Sequence, residues 1–184
     1  MSAAGVSAAG VSATELPRLI RTRPLPGGEV VIEADEGERA ALAQRCGVTR
    51  IDRLTARLEL SEDDRAIIAH GTLDADLIQP CAISGEDFAV SVHEPLSLRF
   101  VPGQNVPEEF DAEIELEGDE LDEIEYHGDA FDLGEAVAQS LVLAIDLYAE
   151  GPNADAARKA AGIISDENLR GPLADALAAL TRKT

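Results

Sequence analysis

From Ile51 to Val101, apolar and polar residues alternate through three successive runs, and this pattern restricts the fold more than any other feature of the chain. "IDRLTARLEL" sets Leu54, Ala56, Leu58 and Leu60 on one side and Arg53, Thr55, Arg57 and Glu59 on the other. "RAIIAHGTLDADLIQPC" opposes Leu73, Ala75 and Leu77 to Thr72, Asp74 and Asp76, and "FAVSVHEPLSLRFV" repeats the pattern. A period of two is that of a strand with one buried and one wet face. The turn signal "SEDD" separates the first two runs, and such short connections make neighbouring strands antiparallel. Pro95 cannot donate to a ladder, so it marks an edge or a bulge in the third strand.

The flanking segments supply shorter strands and helices. "LPRLIRTRPL" and "EVVIEA" read as strands separated by the turn "PLPGG". "DEGERAALAQRCGV" reads as a helix, with Asp35 as N-cap, Glu38 three residues on and Gly47 as its stop. A short strand fits "DEIEYHG". A second helix is predicted over 132–148, with Asp132 as N-cap and Glu135 in the reciprocal capping position. Leu133, Val137, Leu141 and Ile145 recur every four residues, and Ala136, Ala144 and Tyr148 widen the stripe. Val142 and Leu143 spill past it, making the helix more apolar than a surface helix needs. The expectation is an α+β fold: a curved, mainly antiparallel meander, barrel-like in its curvature, with helices packed on it. One domain should span 16–150. Residues 1–15, with their "SAAGV" repeat, are too small-sided to pack and are expected to be disordered. Residues 151–184 form a weakly helical tail ending "PLADALAAL".

Charge decides which functions suit such a fold. The net charge is -21, and it is uneven. Residues 100–157 hold 17 acids and no Lys or Arg, while residues 1–99 hold 16 acids against 10 basic groups. Nucleic acid binding needs cations to displace counterions from phosphates, so the middle of the chain repels RNA and suits a basic protein partner. Arg53 and Arg57 share one strand face and leave room for a small basic patch. Aromatic residues are only 3% and Trp is absent, which argues against sugar or base stacking platforms. The two cysteines, Cys46 and Cys81, form no disulfide framework. No secretory leader and no apolar run near the length of a membrane span is present, so a reduced, cytoplasmic, membrane-free protein is expected.

The candidate sites follow from that charge. Between 104 and 123 lies an acidic loop. The residues most suited to a basic partner are Glu108, Glu109, Asp111, Glu113, Glu115, Glu117, Asp119, Glu120, Asp122 and Glu123. Phe110, Ile114, Leu116, Leu121 and Ile124 are interspersed and add apolar contact. The spacing is not that of an EF-hand loop. Asp74 and Asp76 share a strand face, which keeps open a metal-dependent nuclease or hydrolase; the surplus apolar helix surface keeps open a dimerising module. His70, His93 and His127 lie in no metal-ligand spacing and read as structural. Cys81, at a strand end after Pro80, reads as a small buried group. No phosphate-binding glycine motif and no serine nucleophile elbow occurs, and no cofactor is implied.

Two stretches in order, "QPCAISGEDFAVSVHEPLSLRFVP" and "DAFDLGEAVAQSLVLAIDLY", with an acidic spacer between them, carry a resemblance. The chain resembles the YceD-like family, the large ribosomal RNA subunit accumulation proteins, and most of all their alphaproteobacterial branch. In the family's Cys-x-x-Cys-Leu-Glu-like turn, Cys81 matches the first cysteine and Glu86 the acid, while Ser84 replaces the second cysteine. Asp132, Leu133, Glu135, Val137 and Leu141 match the helix. Many members carry cysteines after that helix; here "YAEGPNADAA" has none, so no metal is carried over. The resemblance implies a non-enzymatic factor supporting 23S rRNA accumulation or processing during large-subunit assembly. With the charge pattern, it implies basic ribosomal or assembly proteins of the large subunit as partners, with pre-23S rRNA reached indirectly through them; direct contact with RNA stays open.

Overall fold

The computed structural model describes residues 14–103 and 123–163. The opening repeat, the acidic residues from Glu108 to Asp122 and the tail "PLADALAAL" lie outside the described residues. In chain order the elements are β1 (Leu19–Arg21), β2 (Glu29–Glu33), α1 (Glu36–Cys46), β3 (Arg50–Asp63), β4 (Ala66–Pro80) and β5 (Asp87–Pro102). After the acidic segment come β6 (Glu123–Tyr126), β7 (Ala130–Asp132), α2 (Leu133–Ala144) and α3 (Ala154–Ala160). The fold is α+β: an open five-stranded sheet in the order β2-β3-β4-β5-β6, with β1 and β7 paired separately.

The alternating runs become β3, β4 and β5, all antiparallel. Leu54, Ala56, Leu58, Leu73, Ala75 and Leu77 line the buried face as their periodicity requires. β4 and β5 stay in register from Ile67↔Phe100 to Pro80↔Asp87, so Pro95 marks no bulge. It lies on the outer edge of β5, where a missing N–H removes no ladder bond. The "SEDD" turn is shorter than its letters suggest. β3 runs on to Asp63, and Asp64 with Arg65 makes the reversal. Asp64 takes a positive φ of 54°, a region Asp tolerates better than most residues. "LPRLIRTRPL" shrinks to three paired residues, Leu19–Arg21, because its partner β7 is itself only three residues long and runs directly into α2 at Leu133. β6 runs parallel to β5, pairing Glu123 with Arg99, and returns the chain to the end of the sheet it left at Gly103.

Helices α1 and α2 cover the inner face. Asp35 and Glu38 form the expected capping box, and Gly47 ends α1 in the left-handed region. In α2, Leu133, Val137 and Leu141 are fully buried. Burying each stabilises the fold by about 1.5–3 kcal/mol. Two expectations for this helix need correction. Asp132 does cap it, accepting from the Glu135 N–H at 3.1 Å, but Glu135 does not reciprocate. Its carboxylate instead holds the Arg45 guanidinium through two bonds of 2.7 and 2.9 Å, a stronger charge-assisted pair. The helix also ends at Ala144, not Tyr148. Ile145 turns to extended geometry, and the Asp146 carbonyl then accepts from the buried Gln79 amide at 2.8 Å. Ile145 stays buried, whereas Tyr148 leaves the stripe and is exposed.

Candidate interaction surface

The two ends of the acidic segment lie on adjacent strands at one corner of the sheet. The chain leaves at Gly103, whose N–H donates to the Tyr126 carbonyl at 2.9 Å. It returns at Glu123, held by Arg99 through a 2.8 Å bond from Nε. The same guanidinium reaches Asp63 at 3.1 Å. Parallel pairing sets Glu123 beside Arg99 and Gly103 beyond Pro102 and Tyr126, so exit and return lie on adjacent strands about four residues, or ~13 Å, apart along them. Glu123 differs from the other acids named for partner contact, since its side chain is committed to Arg99. Those from Glu108 to Asp122 lie outside the described residues.

Sequence reasoning missed the other acids at this corner. In an antiparallel meander the tip of the β3–β4 hairpin lies at the same end of the sheet as the C-terminal end of β5. Glu62, Asp63 and Asp64 thus come beside Glu123 and Glu125. A cleft lined by Asp64, Arg65, Arg99, Gly103, Glu123 and Glu125 lies between them. An adjoining cleft adds Glu62, Arg23 and Asp129. Six carboxylates around the corner face three guanidinium groups, so negative charge persists outside the loop. The signal was in the sequence: "SEDD" sits at a hairpin tip, and the strand count fixes which end of the sheet that tip occupies.

Elsewhere the candidate residues are neutralised or structural. Asp74 and Asp76 share the open face of β4, and each is paired within the sheet. Asp74 pairs with Nδ1 of His93 at 2.7 Å. Asp76 accepts from Arg53 and from the Ser91 hydroxyl, both at 2.8 Å. The Arg53 guanidinium holds the Asp76 carboxyl below its usual range, with Ser91 adding to the effect. Arg57 lies 3.8 Å from Glu29, so the basic patch expected on this face is paired with acids. The His127 ring lies against Gly103, close to the root of the acidic segment.

The β4–β5 turn has a more specific structure. Cys81 is buried, and its Sγ accepts from the backbone N–H groups of Ile83 and Ser84 at 3.4 and 3.3 Å. Gly85 follows in the left-handed region at φ 71°, which lets the turn close on the Cys81 carbonyl at 2.9 Å. The Ser84 hydroxyl, then the N–H groups of Ser84, Gly151 and Ile83, lower the thiol to about 7. Cys46 shows the opposite behaviour, its thiol pushed up by burial. Glu86 holds the segment that follows α2, accepting from the Asn153 amide at 2.7 Å.

The profile of the family described as large ribosomal RNA subunit accumulation protein YceD matches residues 69–167, more than half of the chain. The chain belongs to the YceD family. No curated protein and no solved structure matches it. The YceD match begins in β4 and ends beyond α3, so it contains the Cys81 turn, the acidic segment and α2. β1 to β3 and α1 precede it, yet β2, β3 and α1 supply about a third of the buried core, Leu42, Leu54 and Ala56 among it. YceD membership links the chain to accumulation of large-subunit ribosomal RNA, as an accumulation factor and not through a named enzymatic reaction. No helix among the described residues is long and apolar enough to cross a membrane.

Proposed function

We propose that this protein is a non-enzymatic assembly factor acting in the cytoplasm. It supports 23S rRNA accumulation or processing by holding basic ribosomal or assembly proteins of the large subunit on an acidic surface. The observation that carries this reading is the convergence at one sheet corner of Glu62, Asp63 and Asp64 with the pinned ends of the segment holding Glu108 to Asp122. Acids on a fixed base create a potential that steers a basic partner and speeds its capture. The pairing of Arg53 with Asp76 and of Arg57 with Glu29 weakens direct phosphate contact as a competing mode. Asp74 and Asp76 each have a partner already, which weighs against the metal-dependent nuclease alternative.

The test pairs a binding measurement with a cellular one. Purified large-subunit proteins should bind the protein at low salt, and binding should fall steeply as salt rises. Replacing Glu113, Glu115, Glu117, Asp119 and Glu120 by their amides should weaken binding and raise precursor 23S rRNA in cells. Unchanged binding and an unchanged precursor level would together refute the proposal.

A further inference from the structure

The C-terminal half of α2 carries an apolar surface that none of the described residues covers. Leu143 is 86% exposed, and Val142, Leu147 and Tyr148 continue the patch. On one side of Leu143 a groove of about 410 Å³ runs between α2 and the edge of β5. Leu96 and Leu98 form one wall, and Ser140, Leu143 and Ala144 the other, with Glu94 as the charged side chain lining it among the described residues. Among the described residues, no strand pairs with this edge of β5 from Asp87 to Leu98. Exposed apolar patches of this kind, rimmed by polar groups, mark contact surfaces.

The position of the groove relative to the charge identifies its occupant. Leu98 immediately precedes Arg99, which pairs with Glu123 at the root of the acidic segment. The groove therefore ends where the strongest negative charge of the molecule begins. A second copy of this chain is a poor fit, since it would bring another -21 and set Glu94 against Glu94. We propose that the groove takes an aliphatic anchor from a lysine- or arginine-rich segment of a protein partner, whose cations lie towards Glu94 and the acidic corner. This inference rests on the acidic-surface reading and adds the apolar contact that gives it specificity, since rim charges mainly govern the rate of encounter while buried anchors carry affinity.

The test uses the full chain and two fluorescein-labelled peptides of equal charge. One has Lys with Leu at every third or fourth position; the other has Ser in place of each Leu. The Lys/Leu peptide should bind more tightly, and Leu143→Asp should weaken it at least about tenfold while leaving the Lys/Ser peptide no weaker. The exposed position keeps the fold intact, and the added carboxylate can only favour lysine, so the loss isolates the apolar contact. Equal binding of the Lys/Leu peptide to wild type and Leu143→Asp overturns the groove inference and leaves the acidic surface standing. Replacing Glu113, Glu115 and Glu117 by Gln should weaken both peptides. If it weakens neither while Leu143→Asp still acts, the acidic reading falls and the groove remains. Sedimentation should show a monomer, and a dimer that Leu143→Asp dissolves would assign the groove to a second copy. A chain ending at Ile163 should bind the Lys/Leu peptide as the full chain does; tighter binding would assign the groove to the C-terminal tail and overturn the proposal.

Discussion

Replacing Gly134 with alanine should destabilise this protein, although the same change in the first turn of an ordinary helix stabilises it. Gly134 is buried in α2 directly beneath the segment that leads into β1. A Cβ there would collide with the Leu16 carbonyl oxygen and come within 3.0 Å of the Arg18 backbone nitrogen. Both obstacles are backbone, so no side-chain rotation relieves the clash, and the whole segment from Thr14 to Arg21 has to lift. Leu16, which is fully buried, then loses about 1.5–3 kcal/mol of burial. The bond from the Leu133 N–H to the Arg18 carbonyl, 3.0 Å, contributes about 1 kcal/mol more. Against this stands a helix propensity gain of about 1 kcal/mol. The net loss is therefore about 1.5–3 kcal/mol. With a urea m-value of about 2 kcal/mol/M, the unfolding midpoint falls by about 1 M. A chain lacking residues 1–18 supplies the control: without the obstructing carbonyl, Gly134→Ala should leave the midpoint unchanged or raise it. A full-length Gly134→Ala protein as stable as the wild type would refute the packing argument.

Three further outcomes follow from single interactions. Asp132 accepts from Thr14, from the Arg18 N–H and from the Glu135 N–H, so Asp132→Ala should cost about 2 kcal/mol in urea denaturation while Asp132→Asn recovers much of it; equal losses would show that the cap bonds contribute little. Arg45 bridges Glu15 and Glu135 near the surface, and Arg45→Met should cost no more than about 1 kcal/mol and lose most of that effect in 1 M NaCl; a salt-independent loss would point to packing by its aliphatic stem. The Cys81 thiol titrates at about 7 in the folded chain, below the ordinary thiol value of about 8.5. Its contribution is complete above the unfolded value and disappears as pH falls through the folded one, so thermal stability should rise between pH 7 and 9 in the wild type and less in Cys81→Ala; identical slopes would exclude a stabilised thiolate.

The sheet could be read in advance because its signal is redundant. Leu54, Ala56, Leu58, Leu73, Ala75 and Leu77 repeat one decision six times, and a slip of one residue would expose all of them. α1 was legible for a similar reason, since Asp35, Glu38 and Gly47 mark both ends with local chemistry. The sequence was a poorer guide where a distant group decided the outcome. Glu135 left its own helix start for Arg45, ninety positions earlier in the chain. The end of α2 was set by Gln79, a buried amide on β4 that takes the Asp146 carbonyl. β7 is three residues long and forms only because β1 lies beside it, so no local pattern announced it. The acids of the candidate surface were visible in the loop itself, but Glu62, Asp63 and Asp64 joined them through topology alone.

The departure at Ser84 has a structural consequence that reaches the proposed groove. Where many relatives of this turn offer a second cysteine, the chain closes it with hydrogen bonds onto the Cys81 sulfur. The segment after α2 is then held by three bonds to the end of β4 and its turn. The Gln79 amide meets the Asp146 carbonyl, the Ala82 N–H meets the Ala149 carbonyl at 3.1 Å, and Glu86 receives the Asn153 amide. Gly151 closes the contact, where a Cβ would sit tightly, 3.1 Å from the Phe88 ring and 3.3 Å from Cys81 Cβ. These bonds fix where α2 stops, and the stop decides that Leu143 stays on the last helical turn while Leu147 and Tyr148 swing outward. A rigid clasp at Cys81 thus holds an apolar edge in the open at one side of β5, while Arg99 and Glu123 pin the acidic segment to the same strand. Loosening the clasp with Gln79→Ala should therefore weaken binding of a lysine–leucine partner without removing any residue that touches it. Unchanged affinity would mean that the groove does not depend on where the helix ends.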